Sequence, residues 1–254
     1  MSKLVDKLQS LSKSSGAPIG FHPSVSEVRS PAMLLIGRLS GTQVKEAKIV
    51  ADVNADAALI LNEGSNAKII KQMVEAMADV PLGVLVKNIN QEKINEVTSS
   101  GCDFVVFDVK MPGVVLDKEG VGKLLMLEPS LDQGLVRAIN DFDIDAVLIS
   151  SGADSFLTVE NLLVCRRFVE LLEKPVIMAL PSLVTKAELM ELWQAGVDGV
   201  VLPPTQSVET LTELRTMIGD LARGARGRRT KASAALPQYG GLVTLEEDEE
   251  EEEG

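Results

Sequence analysis

Histidine, cysteine and aromatic residues are all scarce in this chain, and each scarcity removes a class of chemistry. The one histidine, His22, precedes the first predicted strand, so a Ser-His or Cys-His couple has no base at a strand end. Cys102 and Cys165 are too few for a disulfide framework and lack the clustering of a zinc site, so both read as core thiols. Aromatics make up 3% of the residues, which leaves little for base-stacking platforms or aromatic sugar sites. Positive charge is short as well. Lys and Arg number 25 against 37 Asp and Glu, a net charge of −12, whereas a nucleic-acid partner calls for a basic surface. No apolar run approaches the ~20 residues of a membrane span. The amphipathic N-terminus, residues 2–13, carries Leu4, Val5, Leu8 and Leu11 on one stripe and lacks the apolar core and cleavage site of a signal peptide. The expected setting is the cytoplasm, with neither membrane nor nucleic acid as partner.

What is present is a large apolar fraction, 45% of 254 residues, at the usual length of one α/β barrel or two small domains. Residues 175–204 set the rhythm. An apolar run (176–180) turns through Pro181 and Ser182 into an amphipathic segment. That segment opens on Thr185-x-x-Glu188, a capping box, and stops at Gly196, where a helix can end in a left-handed turn. A second apolar run, 199–202, follows at once. These lengths describe a parallel βα crossover.

The same unit recurs along the chain. Further strands are predicted at 33–37, 57–61, 82–86, 104–108, 123–127 and 146–149. Helical faces follow most of them: Val44, Ala47, Lys48 and Ala51 after the first; Ile69, Ile70, Met73, Val74 and Met77 after the second. Leu135, Ala138, Ile139 and Phe142 form the face after the fifth. The longest helix is expected near 158–173, and a last one near 208–222 has Val208, Leu211, Leu214, Ile218 and Leu221 inward. Continuously apolar strands suit a parallel sheet covered by helices. Eight units predict an α/β fold, a (β/α)8 TIM barrel over residues 33–222. Residues 1–32 form an N-terminal helix and a cap (16–31) at the strands' N-terminal end, and 223–254 a disordered tail. An open doubly wound sheet is the runner-up, but no strand is followed by a Gly-rich dinucleotide turn, so no flavin or nicotinamide motif is present.

Residues 195–203, AGVDGVVLP, resemble the A-G-A-D-G-V-V-V-G approach to the eighth strand of the aldolase-type, ribulose-phosphate-binding-like TIM barrels; residues 100–109, SGCDFVVFDV, are similar in kind. The resemblance implies a metabolic barrel with its site at the strands' C-terminal ends. In those families the loops after strands seven and eight read G-G and G-S or G-R, and their N–H groups cradle a phosphate. Here they read Pro181-Ser182 and Pro203-Pro204-Thr205, and proline lacks the N–H that the cradle uses. An anion there would have to meet Ser182, Thr205 or Ser207 instead.

The predicted strand ends offer Arg38, Glu63, Lys87, Asp108, Lys110 and Glu128. Lys87 ends an apolar strand, where desolvation favours the neutral amine of Schiff-base or general-base chemistry; pairing with Glu63 or Asp108 is the plainer alternative. Asp108-Val-Lys110 resembles the D-x-K strand-end pair of the orotidine-phosphate decarboxylase group, although the further Asp of that motif falls at Gly113. Glu63, Asp108 and Glu128 could hold Mg2+ through hard oxygen ligands, or be solvated loop carboxylates. Arg38 is suited to a substrate carboxylate or to a surface ion pair.

The last 32 residues change character. Five positive charges lie in 223–231 and eight consecutive negatives in 246–253, around an apolar stretch, 236–245, that holds the lone tyrosine. That stretch is expected to be a solvated tail or a docking segment for a protein partner or a second copy. Two functions follow. One is a lyase, aldolase or isomerase acting on a small carboxylate- or phosphate-bearing metabolite, with catalytic Lys87, Asp108 and Lys110 and substrate-binding Arg38, Glu63, Ser182 and Thr205. The other is a catalytically silent barrel that serves as scaffold or binding protein through its tail.

Overall fold

The computed structural model describes residues 2–14, 31–61, 66–87, 91–117, 119–151, 155–204 and 207–221. Helix α1 (Lys3–Ser14) comes first. Strand β1 (Leu34–Leu39) leads to α2 (Val44–Asp52), β2 (Ala57–Ile60) to α3 (Ala67–Met77), and β3 (Leu82–Leu85) to α4 (Gln91–Ser99). After β4 (Phe104–Asp108) there is only a 3₁₀ turn, Gly113–Asp117. Then follow β5 (Gly122–Leu127), α5 (Gln133–Ala138), β6 (Ala146–Ile149), α6 (Val159–Leu171), β7 (Val176–Ala179), α7 (Lys186–Ala195), β8 (Gly199–Val201) and α8 (Val208–Leu221).

All strands pair in parallel and in sequence order, and β8 returns to β1, so the sheet closes into a TIM barrel. Pairing carries Leu34 through Gly199, Ile177, Leu148 and Met126 to Asp108. Completing that circuit climbs about eight residues, the shear typical of this barrel class. Both faces of the strands are buried. One core fills the barrel with Ile36, Leu59, Leu85, Val106, Leu124 and Leu148. The other packs the outward faces, such as Leu35, Val105 and Val147, against the helices.

The floor is built by α1. Its Leu4, Leu8 and Leu11 join the inner core beside Phe104. Gly83 makes this possible, because a Cβ there would stand 2.0 Å from the Phe104 ring. An aspartate precedes every even-numbered strand, and its backbone N–H donates to the carbonyl of the strand before it: Asp56 to Leu35, Asp103 to Leu82, Asp145 to Lys123, Asp198 to Val176. In three cases the carboxylate also accepts the partner residue's N–H, at 2.8 Å for Leu35 and Lys123 and 3.0 Å for Val176. Asp103 is diverted. Its carboxylate accepts the Ser2 hydroxyl (2.6 Å) and the N–H groups of Lys3 (2.7 Å) and Leu4 (3.0 Å), capping α1 from across the sequence.

The predicted strands coincide with the observed ones, and α7 has both the Thr185–Glu188 capping box and a left-handed Gly196 (φ 101°). Four expectations need correction. In α5 the buried side chains are Val136 and Ile139, while Leu135 and Phe142 are exposed; Asp132 caps the helix, and its 3₁₀ continuation over Ile139–Asp141 aligns residues three apart. In α2 it is Ala47 and Val50 that are buried, and Lys48 faces water. The longest described helix is α8, with 14 residues against 13 in α6. Its Val208 is exposed rather than inward, though Leu211, Leu214, Ile218 and Leu221 are buried. The cap expected at 16–31 lies outside the described residues except for Pro31, as do the tail and its 236–245 segment. No helix among the described residues is long and apolar enough to cross a membrane.

Candidate functional site

Side chains alternate in and out along each strand, so the residue two beyond each barrel-core residue shares its inward face. Above Ile36, Leu85 and Val106 this puts Arg38, Lys87 and Asp108 at the C-terminal mouth, and above Leu148 it puts Ser150. Leu61, Met126 and Ala179 pack on the inner core and form an apolar bed among them.

Lys87 and Asp108 are neighbours. Leu85 is in register with Val106, and the Val86 N–H donates to the Val106 carbonyl at 2.8 Å. Two residues further, Lys87 and Asp108 stand level at the ends of adjacent strands, both half-buried. Asp108 is held in place: its Oδ1 accepts the Lys110 N–H (2.8 Å) and its carbonyl accepts the Met111 N–H (3.1 Å). The Lys110 side chain is exposed. Asp108 pairs with Met126, which places exposed Glu128 level with Lys110 on the next strand end.

Arg38 is half-buried, and burial lowers its guanidinium pKa from the ordinary value without approaching neutrality. Among the described residues its side chain makes no hydrogen bond or ion pair. By contrast, Arg166 pairs with Glu170, Arg167 donates to the Pro129 carbonyl, and Arg215 forks onto Asp56.

The Ser182 hydroxyl donates to the carbonyl of the adjacent Leu183 (3.3 Å), a contact within its own loop. Glu63 and Thr205 lie outside the described residues. The oxygen set for Mg2+ therefore extends beyond what is described, and among the described residues no three His, Cys, Asp or Glu side chains gather as metal ligands. Cys102 and Cys165 are buried, and burial pushes both thiols up to about 12.

Two features at the strands' N-terminal side escaped the reading of the sequence. Lys123 lies inside β5 and donates to the Leu116 carbonyl (2.5 Å) and to Asp143. A lysine within an apolar strand was the signal for it, and its role is structural. The aspartates before β2, β4, β6 and β8 were the other, visible as an Asp recurring one residue before an apolar run. At that opposite end a cavity of about 270 Å³ lies between α1 and the starts of β7 and β8, lined by Val5, Leu8, Lys174, Pro175 and Asp198 among others.

The closed parallel barrel with ionisable groups at its mouth is a TIM barrel, the class of fold to which solved structures similar to it also belong. Within that class the chain is similar to tryptophan synthase from M. tuberculosis in its aminoacrylate-bound form (TM-score 0.58, 13% identity, covering 89% of this chain and 100% of that one). It is also similar to thiamine phosphate pyrophosphorylase from Pyrococcus furiosus (TM-score 0.60, 15% identity, 77% of this chain and 99% of that one). A mutant tryptophan synthase alpha-subunit from P. furiosus gives a TM-score of 0.57 at 14% identity, over 75% of this chain and 98% of that one. Identities this low establish the fold and not the reaction. No protein-family profile and no curated protein sequence matches the chain.

Proposed function

We propose that the barrel is an enzyme of the lyase, aldolase or isomerase type, acting at its mouth on a small metabolite that bears a carboxylate or phosphate. The observation that carries this reading is the level pairing of Lys87 and Asp108 on adjacent strand ends, half-buried over an apolar bed. A lysine in such a place is the nucleophile of Schiff-base chemistry. Its neutral amine adds to a substrate carbonyl carbon, the carbinolamine loses water, and the resulting iminium accepts the electron pair of an adjacent breaking C–C or C–H bond. Asp108 stands where it can take and return the proton, and Lys110, fixed to Asp108 through its backbone, supplies a second positive charge.

The test is borohydride trapping with a panel of small oxo-acids, followed by peptide mass mapping. The expected result is a reduced adduct on Lys87 or, failing that, on Lys110, lost in the matching Lys→Ala variant. The second reading, a silent scaffold, is favoured by the proline-blocked loops Pro181 and Pro203-Pro204. It gains if neither lysine traps and both variants bind anionic metabolites as the wild type does.

A further inference from the structure

We propose that Arg38 is the anion anchor of the mouth and that it takes the carboxylate of a small molecule in a two-point fork. The proposal rests on reading the mouth as a site for small anionic metabolites. It goes further by moving the anion-binding point from the β7–β8 loops, where related barrels hold it, to the end of β1.

Arg38 stands where strand pairing has come apart. On one side it is in register with Leu59 of β2. On the other, the pairing of β1 with β8 ends at Ile36 and Val201, followed by a hydrogen bond from the Leu202 N–H to the Ile36 carbonyl at 3.0 Å. The next donor along β8 would come from residue 204, and Pro204 has no N–H. Strand β1 runs on to Leu39, so the seam beside Arg38 is open.

Among the described residues the side chain has no protein acceptor, and its nitrogens stay open to solvent, where water can give way to a ligand. A guanidinium offers five donors in a flat fork. The carboxylate nearest in sequence is already committed: both oxygens of Glu46 accept from Ser40, one from its N–H (2.6 Å) and one from its hydroxyl (2.8 Å). The inner-face positions flanking Arg38 at the neighbouring strand ends are apolar, Leu61 and Pro203. A bound anion would answer a desolvated charge that the described protein groups leave open.

Carboxylate rather than phosphate follows from the donors at hand. Phosphate sites collect several backbone N–H groups, and Pro181, Pro203 and Pro204 remove those donors from both loops that would provide them. One guanidinium matches the two oxygens of a carboxylate in a single plane.

The experiment is ligand-observed saturation-transfer NMR on the full chain, with pyruvate, oxalate and inorganic phosphate as probes. Wild type and Arg137→Gln, a change at an exposed arginine of α5, are expected to bind pyruvate and oxalate alike. Arg38→Gln should weaken both by at least about tenfold, as expected for losing a charge-assisted bidentate contact. Arg38→Lys should recover only part of the loss, because an ammonium keeps the charge without the fork. Equal carboxylate binding by Arg38→Gln, no carboxylate binding by the wild type, or tighter binding of phosphate than of either carboxylate would overturn the proposal. The readout does not depend on turnover. Trapping on Lys87 with carboxylate binding retained in Arg38→Gln defeats the anchor alone; loss of binding with no lysine trapped defeats the Schiff-base reading alone.

Discussion

Cys102 and Cys165 show burial setting a side chain's chemistry without any catalytic purpose. Both thiols are pushed from 9.0 up to about 12, Cys165 by burial and Cys102 by burial with Asp103 beside it. A thiol raised in the folded state ionises first in the unfolded chain. Its contribution to stability is therefore full below about pH 9 and is lost as pH rises toward 12. At pH 8 neither thiol should react with a maleimide in the native protein, and both should react in denaturant. Rapid native labelling of either would show that its pocket opens. At this scale the sequence was legible where a residue's role depends on its own strand: the thiols read as core, and Lys87 and Asp108 read as strand-end groups. Arg38 was left open between ligand and ion pair, because whether an acceptor reaches it depends on packing between elements far apart in sequence. The Ser182 hydroxyl donates to the Leu183 carbonyl, a contact within its own loop that the sequence did not announce.

Elements were most legible where chemistry at their ends is local. The Thr185–Glu188 box and Gly196 delimit α7 from within ten residues or so of sequence, a range over which capping acts. The face of α5 was misread because a six-residue helix has too few turns to fix its phase by periodicity. The role of α1 was hidden altogether, since its cap is Asp103, about 100 residues away. Removing that carboxylate leaves three donors at the start of α1 without their acceptor. Asp103→Ala should cost about 2 kcal/mol in urea denaturation, the sum expected for a lost helix cap and its hydrogen bonds. Asp79→Ala, which breaks only the surface pair with Lys3, should cost less than about 0.5 kcal/mol. Equal effects would mean that α1 is not latched through Asp103.

For the whole molecule, the continuous apolar strands were enough to place all eight staves, because a strand buried on both faces has no polar alternation to blur its limits. Eight units implied closure, but the particular pairings and register that carry it were not readable in the same way, since they arise between distant segments. They matter most for function: register is what sets Lys87 beside Asp108 and opens the seam at Arg38. The two ends of the barrel are unlike. One is sealed by α1 and the row of aspartates, the other carries charged groups over an apolar bed.

Entry of a small anion at the charged end is tested by mapping amide shifts on the 15N-labelled protein during a pyruvate titration. Shifts are expected at Leu39, Lys87, Asp108 and Ser150, with Asp56, Asp103, Asp145 and Asp198 unmoved. Shifts confined to the opposite face, around the cavity between α1 and Pro175, would contradict it.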